Sequence, residues 1–411
     1  MIDQKKIKAD FPILKKKNNG QRLVYLDSAN TSLTPRQVVE KMDEYYEVYN
    51  ANIHRAVYPL GERATFEYEA AREKIRRFIG AKSSKEIIFT RNATESINLV
   101  AQTWGRQHLG RGDAIVLSIM EHHSNIVPWQ LLQKEKGFHI HYLSLSKEGR
   151  LNMEAYQRVI QNKNIKLVSL IHQSNVLGTL NDAKSLTELA HKRGIAVLID
   201  GAQSVPHRKV DLKKIKADFF VFTGHKMLGP TGIGVLYGRE ELLQDMPPFL
   251  GGGDMIRSVG IEGSTWNDPP YKFEAGTPNI AGAIGLGAAV DYLENIGMKK
   301  VQEHEQKLLE YALKKMKAIP EINIIGPENA QNRGAVIAFN FAEVHPHDVA
   351  TILGEQGICV RAGNHCAQPL LDYLKVPASL RVSFYLYNTE DDIDRLIEGL
   401  RLVKKTFHVE P

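Results

Sequence analysis

The sequence predicts an α/β protein built on a mostly parallel sheet, followed by a smaller α+β C-terminal lobe. Short apolar runs recur from Lys85 onward and alternate with segments of helical periodicity. The pattern of helix-like and strand-like segments changes after Pro278. Strand and helix alternating in this way are typical of a parallel sheet covered by helices. A chain of 411 residues is long enough for two such lobes.

The first lobe contains six predicted strands. Their sequences are EIIFT, AIVLSIM, KLVSLIH, IAVLID, DFFVFT and GIGVLYG. They are apolar nearly throughout rather than at every second residue, which is the pattern of strands buried on both faces. Helices are predicted between them over 94–107, 126–136 and 184–193.

The second lobe begins with two helices of different character. Residues 280–295 form a helix of small apolar residues, and residues 298–318 form a long charged helix. The strand-like segments INIIG, GAVIAFNF, ICVRA and LRVSFYL follow, with helices starting at Asp348 and Glu390. We predict a large domain over 22–295 and a small C-terminal domain over 296–411, with residues 1–21 packing onto the small domain.

Composition and charge exclude several classes of protein. Hydrophobic residues make up 43% of the chain and charged residues 24%, so the chain is neither disordered nor fibrous. It has no apolar run long enough to span a membrane, and its start has no apolar signal-peptide core. The net charge is +6, and the first twenty residues hold six lysines and two aspartates, which favours a solvated helix over a nucleic-acid or membrane patch. With two cysteines and no disulfide framework, we expect a cytoplasmic protein.

Residues that can carry chemistry follow the predicted strands. Ligands of open α/β sheets lie beyond the carboxyl ends of the strands. Thr94 follows the first strand, where it suits either a phosphate or an ordinary helix cap. His122 and His123 follow the second, without the cysteine or carboxylate spacing of a zinc site, so no metal is expected.

Asp200 and Lys226 follow two later strands. A carboxylate that ends an apolar run needs a cation, either a structural arginine or lysine or the protonated ring nitrogen of a cofactor. Lys226, in TGHKMLGPTGIG, is placed to form a Schiff base if its ammonium is desolvated. The strand-end residues supply a phosphate cup, a flat ring, a carboxylate and a lysine, which are the parts that pyridoxal phosphate requires. They are Thr94, His123, Asp200, Thr223, His225 and Lys226.

Over nearly its whole length the chain resembles the SUF-type, or group II, cysteine desulfurases of the class V aminotransferases, which have fold type I. The segments that carry the resemblance are YLDSANTS, NIHRAVYPLGERAT, MEHHSNIVPW, SNVLGTLN, DGAQSVPH, TGHKMLGPTGIGVLYG, FEAGTPNIAG, VRAGNHCAQPL and RVSFYLYNTEDDID. The lysine loop and RAGNHCAQP are the most specific of these.

The resemblance implies a role for each matching residue. Lys226 holds pyridoxal phosphate, Asp200 pairs with the ring nitrogen, and His123 stacks on the ring and takes part in catalysis. Gln203 and Asn175 lie near the phenolic oxygen of the cofactor. The phosphate cup consists of Thr94, Thr223 and His225, and Thr277 is the phosphate contact that the partner subunit supplies. Arg381 binds the substrate carboxylate, helped by Asn175 and Arg361, and Cys366 is the nucleophile that becomes a persulfide.

Two of these assignments have structural alternatives. Cys366 could be a small buried apolar residue, although Arg361 and His365 beside it favour an exposed, reactive thiol. Arg381 could belong to a structural ion pair. Cys359 is expected in the core.

The activity implied by the resemblance is conversion of L-cysteine to L-alanine, with sulfur passing through Cys366 to an acceptor protein for iron–sulfur cluster assembly. A homodimer is implied, and the HPHD segment with His345 and His347 suggests a SufU-type acceptor rather than a SufE-type one. That segment could also be a plain polar helix start.

Three places in the sequence depart from the family pattern. The departures are Asn30, the pair Asn92 and Ala93, and Asn364. They leave the reaction class intact but bear on turnover and on the discrimination between sulfur and selenium.

Two other classes of function stay open. The chain could be a selenocysteine lyase or cysteine sulfinate desulfinase. It could also be a catalytically poor interaction protein of a cluster-assembly complex, against which the intact Lys226 and Cys366 argue.

Overall fold

The computed structural model describes residues 2–409, which contain two main sheets flanked by helices and three two-stranded sheets. The strands are β1 Lys17–Asn18, β2 Gln21–Arg22, β3 Val24–Tyr25, β4 Ile87–Thr90, β5 Ala114–Ser118, β6 His139–Leu143, β7 Ile165–Ile171, β8 Ala196–Asp200, β9 Phe219–Thr223, β10 Gly234–Gly238, β11 Ile256–Val259, β12 Ser264–Trp266, β13 Ile322–Ile325, β14 Val336–Phe341, β15 Ile358–Cys359, β16 Arg361–Gly363 and β17 Ser379–Ser383. The helices are α1 Gln4–Asp10, α2 Arg36–Val48, α3 Pro59–Ile79, α4 Ala93–Val100, α5 Arg106–His108, α6 Val127–Lys136, α7 Met153–Val159, α8 Ala183–His191, α9 Leu212–Ile215, α10 Glu240–Asp245, α11 Ile280–Ile296, α12 Met298–Lys317, α13 Pro346–Glu355, α14 Gln368–Tyr373 and α15 Glu390–Thr406.

The first sheet has seven strands in the order β4-β10-β9-β8-β7-β5-β6, and with its helices it forms what we call the large lobe. The strands from β6 to β9 are parallel, and β10 runs antiparallel to both of its neighbours. The predicted α/β class is confirmed, and all six predicted strands lie in this sheet. The seventh, β6, was not predicted because it is an edge strand with polar, partly exposed positions.

The second sheet has four antiparallel strands in the order β13-β14-β17-β16, and with its helices it forms what we call the small lobe. Helices α12, α13 and α15 pack together beside it. Their apolar faces share one core with the strands, which includes Leu309, Phe339 and Leu396. The predicted segment ICVRA divides here, because β15 leaves the sheet to pair with β3 while β16 stays in it.

The start of the chain forms strand pairs and hydrogen bonds with residues from distant parts of the sequence. Strand β3 runs parallel to β15, and Asp27 bridges to Ser383 of β17. Before these, Gln4 of α1 donates a hydrogen bond to the carbonyl of Leu386 (3.0 Å). Asp10, at the end of α1, accepts one from the hydroxyl of Tyr292 in α11 (2.8 Å). The division at 22–295 and 296–411, with 1–21 on the small domain, stays a proposal.

A buried ion pair ties α3 to the edge of the large sheet. Arg72, which is 1% exposed, donates to both carboxylate oxygens of Glu274 (2.6 and 2.9 Å) and to the carbonyl of Ile87 (2.7 Å). The same carboxylate accepts the backbone N–H of Phe89 (2.7 Å). Because both ends of the pair are satisfied, the 274–277 loop is held against β4.

Residues 2–409 contain neither a helix that could span a membrane nor a cluster of metal-ligating side chains. None of the helices there is long and apolar enough to cross a membrane. The same residues contain no group of three or more histidine, cysteine, aspartate or glutamate side chains arranged to hold a metal ion.

Candidate active site

A cavity with about 780 Å³ of space between protein atoms, partly open to solvent, lies where the two lobes meet. Ile171, Asp200 and Thr223 reach it from the ends of β7, β8 and β9, as expected at the carboxyl edge of a parallel sheet. Arg361 and Arg381 reach it from β16 and β17 of the small lobe. The whole lining comprises Ala29, Asn30, Asn92, Ala93, Thr94, His122, Ser124, Ile171, Asn175, Asp200, Ala202, Gln203, Thr223, His225, Lys226, Arg361, His365, Cys366 and Arg381.

Ten of the twelve site residues proposed from the sequence therefore line this one cavity. They are Thr94, Asn175, Asp200, Gln203, Thr223, His225, Lys226, Arg361, Cys366 and Arg381. Thr277 lies outside the wall and is exposed on the loop after Glu274. His123 also lies outside it.

Asp200 and Lys226 form the charged centre of the cavity. Asp200 is 2% exposed, and its Oδ1 accepts the backbone N–H of Ala202 (2.9 Å). Burial raises the pKa of this carboxyl, and the nearby Lys226 partly opposes that rise. Burial lowers the pKa of Lys226 to about 8, although the Asp200 carboxylate acts in the other direction. The site therefore holds an amine that loses its proton near neutral pH, which is what a Schiff-base lysine needs.

The histidine that lines the cavity is His122, so the prediction that His123 supplies the ring is corrected by one residue. Nδ1 of His122 accepts the backbone N–H of Ser124 (3.1 Å). Burial, reinforced by the charge of Lys226, lowers the pKa of His122 to about 3, so its ring is neutral. The ring of His123 lies elsewhere, because a 3₁₀ turn begins at this residue. Its Nε2 accepts the backbone N–H of Gln368 (2.9 Å). The sequence alone could not choose between adjacent histidines on one loop.

The end of the cavity at α4 is suited to an anion. Asn92 caps this helix, since its side chain accepts the N–H of Glu95 (2.9 Å). The alternative interpretation of Thr94 as the helix cap is therefore wrong, and its hydroxyl stays available. Thr223 and His225 line the cavity from β9 and the turn after it. Burial lowers the pKa of His225 to about 4, so its ring acts as a neutral hydrogen-bonding group.

Four polar atoms of the cavity residues are buried without a partner among residues 2–409. They are Oδ1 of Asn175, Oε1 of Gln203, Nδ1 of His365 and Nε of Arg381. Buried polar atoms are nearly always hydrogen-bonded, so a bound molecule is the natural partner for such groups. Together with Lys226 and Asp200 they fit pyridoxal phosphate, which has an aldehyde, a ring nitrogen and polar substituents.

A chain of side chains connects the two arginines at the small-lobe end. Arg381 donates to Oδ1 of Asp27 (2.9 Å), and Nδ2 of Asn30 donates to Oδ2 of the same carboxylate (3.0 Å). Oδ1 of Asn30 accepts from Arg361 (2.6 Å), whose Nη2 lies 3.7 Å from Sγ of Cys366. Sequence reasoning noted Asn30 as a departure but missed Asp27, for which the signal was a carboxylate directly after an apolar run.

The two cysteines lie in different surroundings. Cys366 lines the cavity beside Arg361. Cys359 belongs to β15, where it is partly buried, and burial raises the pKa of its thiol. The thiol that a molecule in the cavity can reach is therefore that of Cys366, in the loop after β16.

Comparisons with known proteins agree with this arrangement. Residues 24–396 match the family described as aminotransferase class-V. The chain is 53% identical to a probable cysteine desulfurase of Halalkalibacterium halodurans, over 98% of both chains. It is 50% identical to a probable cysteine desulfurase of Streptomyces coelicolor, over 99% of this chain and 98% of the relative. The solved apo structure of a cysteine desulfurase from Thermococcus onnurineus matches with a TM-score of 0.94 at 40% identity, over 99% of both chains.

Proposed function

This chain belongs to the class-V aminotransferase family, and we propose that within it the chain is a pyridoxal-phosphate-dependent cysteine desulfurase that releases L-alanine from L-cysteine. The observation that carries the proposal is the common cavity of Lys226, Arg381 and Cys366. These three groups can attach a cofactor, bind an amino-acid carboxylate and accept sulfur.

When bound, pyridoxal phosphate supplies a ring that accepts electrons from Cα of an amino acid. Lys226 would hold it, and Asp200 would keep a proton on the ring nitrogen because a buried carboxylate is stable beside a cation. Freed by the substrate amine, the Lys226 amine takes a proton from Cα and returns one to the product. Its lowered pKa of about 8 suits both directions of transfer.

Arg381 is the group that binds the α-carboxylate of the substrate. Its Nη atoms are already used, by Asp27 (2.9 Å) and by the carbonyl of Asn175 (3.0 Å), and its Nε is buried without a partner in the described part of the chain. A guanidinium fixed in this way presents its free N–H groups, that of Nε among them, to a carboxylate with little loss of side-chain freedom.

Cys366 acts on the sulfur of the substrate. Its thiolate attacks that sulfur, so an S–S bond forms while the substrate Cβ–S bond breaks. The electron pair of the broken bond stays on carbon, which takes up a proton to give alanine, and the sulfur stays on Cys366 as a persulfide. The Arg361 guanidinium, 3.7 Å from Sγ, attracts the thiolate.

The test is production of alanine from L-cysteine, followed with a thiol reductant that releases sulfide. The Cys366→Ala variant is expected to retain cofactor absorbance and lose nearly all alanine production. Cys359→Ala is the matched control and should stay active. Persulfide mapped by mass spectrometry to Cys359 would contradict the assignment, and alanine released equally by all three proteins would exclude Cys366 as nucleophile.

We propose further that the persulfide sulfur is transferred from Cys366 to an acceptor protein of the SufU type and is used in iron–sulfur cluster assembly. His345 and His347 are exposed at the start of α13. A Cβ placed on Gly363 would lie 4.0 Å from Nε2 of His347, so this imidazole stands beside the strand that leads to Cys366. A neutral imidazole can ligate a metal carried by an acceptor.

This proposal is tested by adding a SufU-type acceptor. The His347→Ala variant should keep its sulfide release with a small reductant and lose most of the stimulation by the acceptor. His345→Ala is the neighbouring control, and stimulation should persist there. Equal stimulation of both variants and the parent would exclude the role of His347, and strong stimulation by a SufE-type protein would assign the other acceptor.

A homodimer completes the proposed enzyme. Val57 and Phe66 are 92% and 71% exposed at the start of α3, although large apolar side chains are normally covered. Nearby, Asn52 donates a hydrogen bond to Thr277 (3.4 Å), and Thr277 is exposed away from this chain's own cavity. An interface on this surface would present Thr277 to the cofactor phosphate of the partner subunit.

A further inference from the structure

The loop that carries Cys366 has an unfavourable backbone conformation. His365 and Cys366 have φ angles of 52° and 57°, so two consecutive residues with side chains lie in the left-handed region. This conformation is unfavourable for a non-glycine residue and persists only where the surroundings hold it. The contacts around the loop therefore decide where Sγ stands.

His123 of the large lobe holds this loop at two points, at Cys366 itself and two residues after it. Its backbone N–H donates to the carbonyl of Cys366 (2.8 Å), and its ring Nε2 accepts the N–H of Gln368 (2.9 Å). Gln368 is the first residue of α14, and Ala367 before it has no polar side chain to cap that helix. The ring of His123 thus supplies, from the large lobe, a hydrogen bond of the kind that a capping side chain would make.

We propose that His123 is a positioning residue that clamps the Cys366 loop onto the large lobe and so fixes Sγ beside Arg361. The clamp requires a neutral ring with its proton on Nδ1, because Nε2 accepts. Burial lowers the pKa of His123, which favours that neutral form. The inference rests on the proposed role of Cys366 and gives a function to a residue that lies outside the cavity wall.

The experiment compares His123→Ala, His123→Gln and His122→Ala in the holoenzyme, with His139→Ala as a control on the exposed edge strand β6. Hydrogen exchange measures the amide of Gln368, absorbance measures cofactor retention, and steady-state kinetics separate kcat from KM. Loss of one hydrogen bond to the ring corresponds to about a 2- to 10-fold effect. His123→Ala should therefore speed exchange at Gln368 and lower kcat by about that factor, with KM and cofactor retention unchanged.

The glutamine variant keeps the proposal falsifiable if the alanine variant folds poorly. A glutamine amide oxygen can accept the same N–H, so His123→Gln should restore exchange and kcat toward the parent values. His122→Ala should instead lose cofactor and leave exchange at Gln368 slow. Unchanged exchange at Gln368 in His123→Ala, or cofactor loss as severe as in His122→Ala, would overturn the clamp. If the parent enzyme released no alanine while exchange still rose in His123→Ala, the proposed function would fail and the clamp would stand.

Discussion

The lowered pKa of Lys226 predicts how fast the apoprotein binds its cofactor covalently at different pH values. Only the neutral amine attacks an aldehyde, and an ordinary lysine has a pKa of about 10.4. With a pKa of about 8, roughly a tenth of Lys226 is neutral at pH 7, against about 0.04% of an ordinary lysine. Covalent attachment at pH 7 should therefore be on the order of 200-fold faster than at an unperturbed lysine.

The assay mixes apoprotein with pyridoxal phosphate from pH 6 to pH 10 and traps the covalent adduct with borohydride for intact-mass analysis. The rate should rise about tenfold per pH unit below pH 8 and level off above it. Lys226→Ala should give no adduct. Arg361→Gln should move the midpoint upward, because that guanidinium disfavours the Lys226 ammonium, whereas Arg106→Gln, at an exposed and distant arginine, should leave it unchanged. A rate still rising tenfold per unit through pH 9 would refute the reasoning.

Three further predictions concern stability, substrate binding and assembly. Glu274→Gln leaves the buried Arg72 without its main partner and should lower the free energy of unfolding, measured by urea denaturation, by about 3 kcal/mol. The control Glu73→Gln removes a more exposed ion pair and should lower it by less than about 1 kcal/mol. Equal losses would contradict the role of burial. Arg381→Lys should raise KM for L-cysteine by about tenfold without loss of cofactor absorbance, since lysine lacks the rigid fork, and an unchanged KM would place the carboxylate elsewhere. Phe66→Asp should shift the protein from dimer to monomer in light scattering, and a dimer that persists would put the interface on another surface.

The sequence was sufficient to predict the residues that end the buried strands. Asp200 and Lys226 follow apolar runs, and parallel strands present their carboxyl ends at one edge, so the two had to approach each other. Strand β6 was missed because an exposed edge strand carries polar residues and loses the apolar run. The antiparallel direction of β10 could not be predicted either, because a buried strand is equally apolar in both directions.

The side chains around the small-lobe end were harder to predict. Asp27, Asn30 and Arg361 come from opposite ends of the chain, and no local pattern indicates that they share hydrogen bonds. The choice between His122 and His123 depends on a 3₁₀ turn of three residues, which has no periodicity to read. The resemblance to a known family indicated this loop, and the backbone geometry was needed to show which of the two rings lines the cavity.

The pairing of β3 with β15 and of Asp27 with Arg381 also sets an order of events during synthesis. Asp27 and Arg381 are 354 positions apart, whereas the strands of the large sheet all lie between Ile87 and Gly238. A chain leaving the ribosome can form that sheet, with Asp200 and Lys226 in place, before the last third has been made. The pair of Asp27 and Arg381 can form only after β17 has emerged and closed a loop of several hundred residues, which is a slow kind of contact to form. The side of the cavity that carries Asp200 and Lys226 can therefore form before the side that carries Arg361 and Arg381.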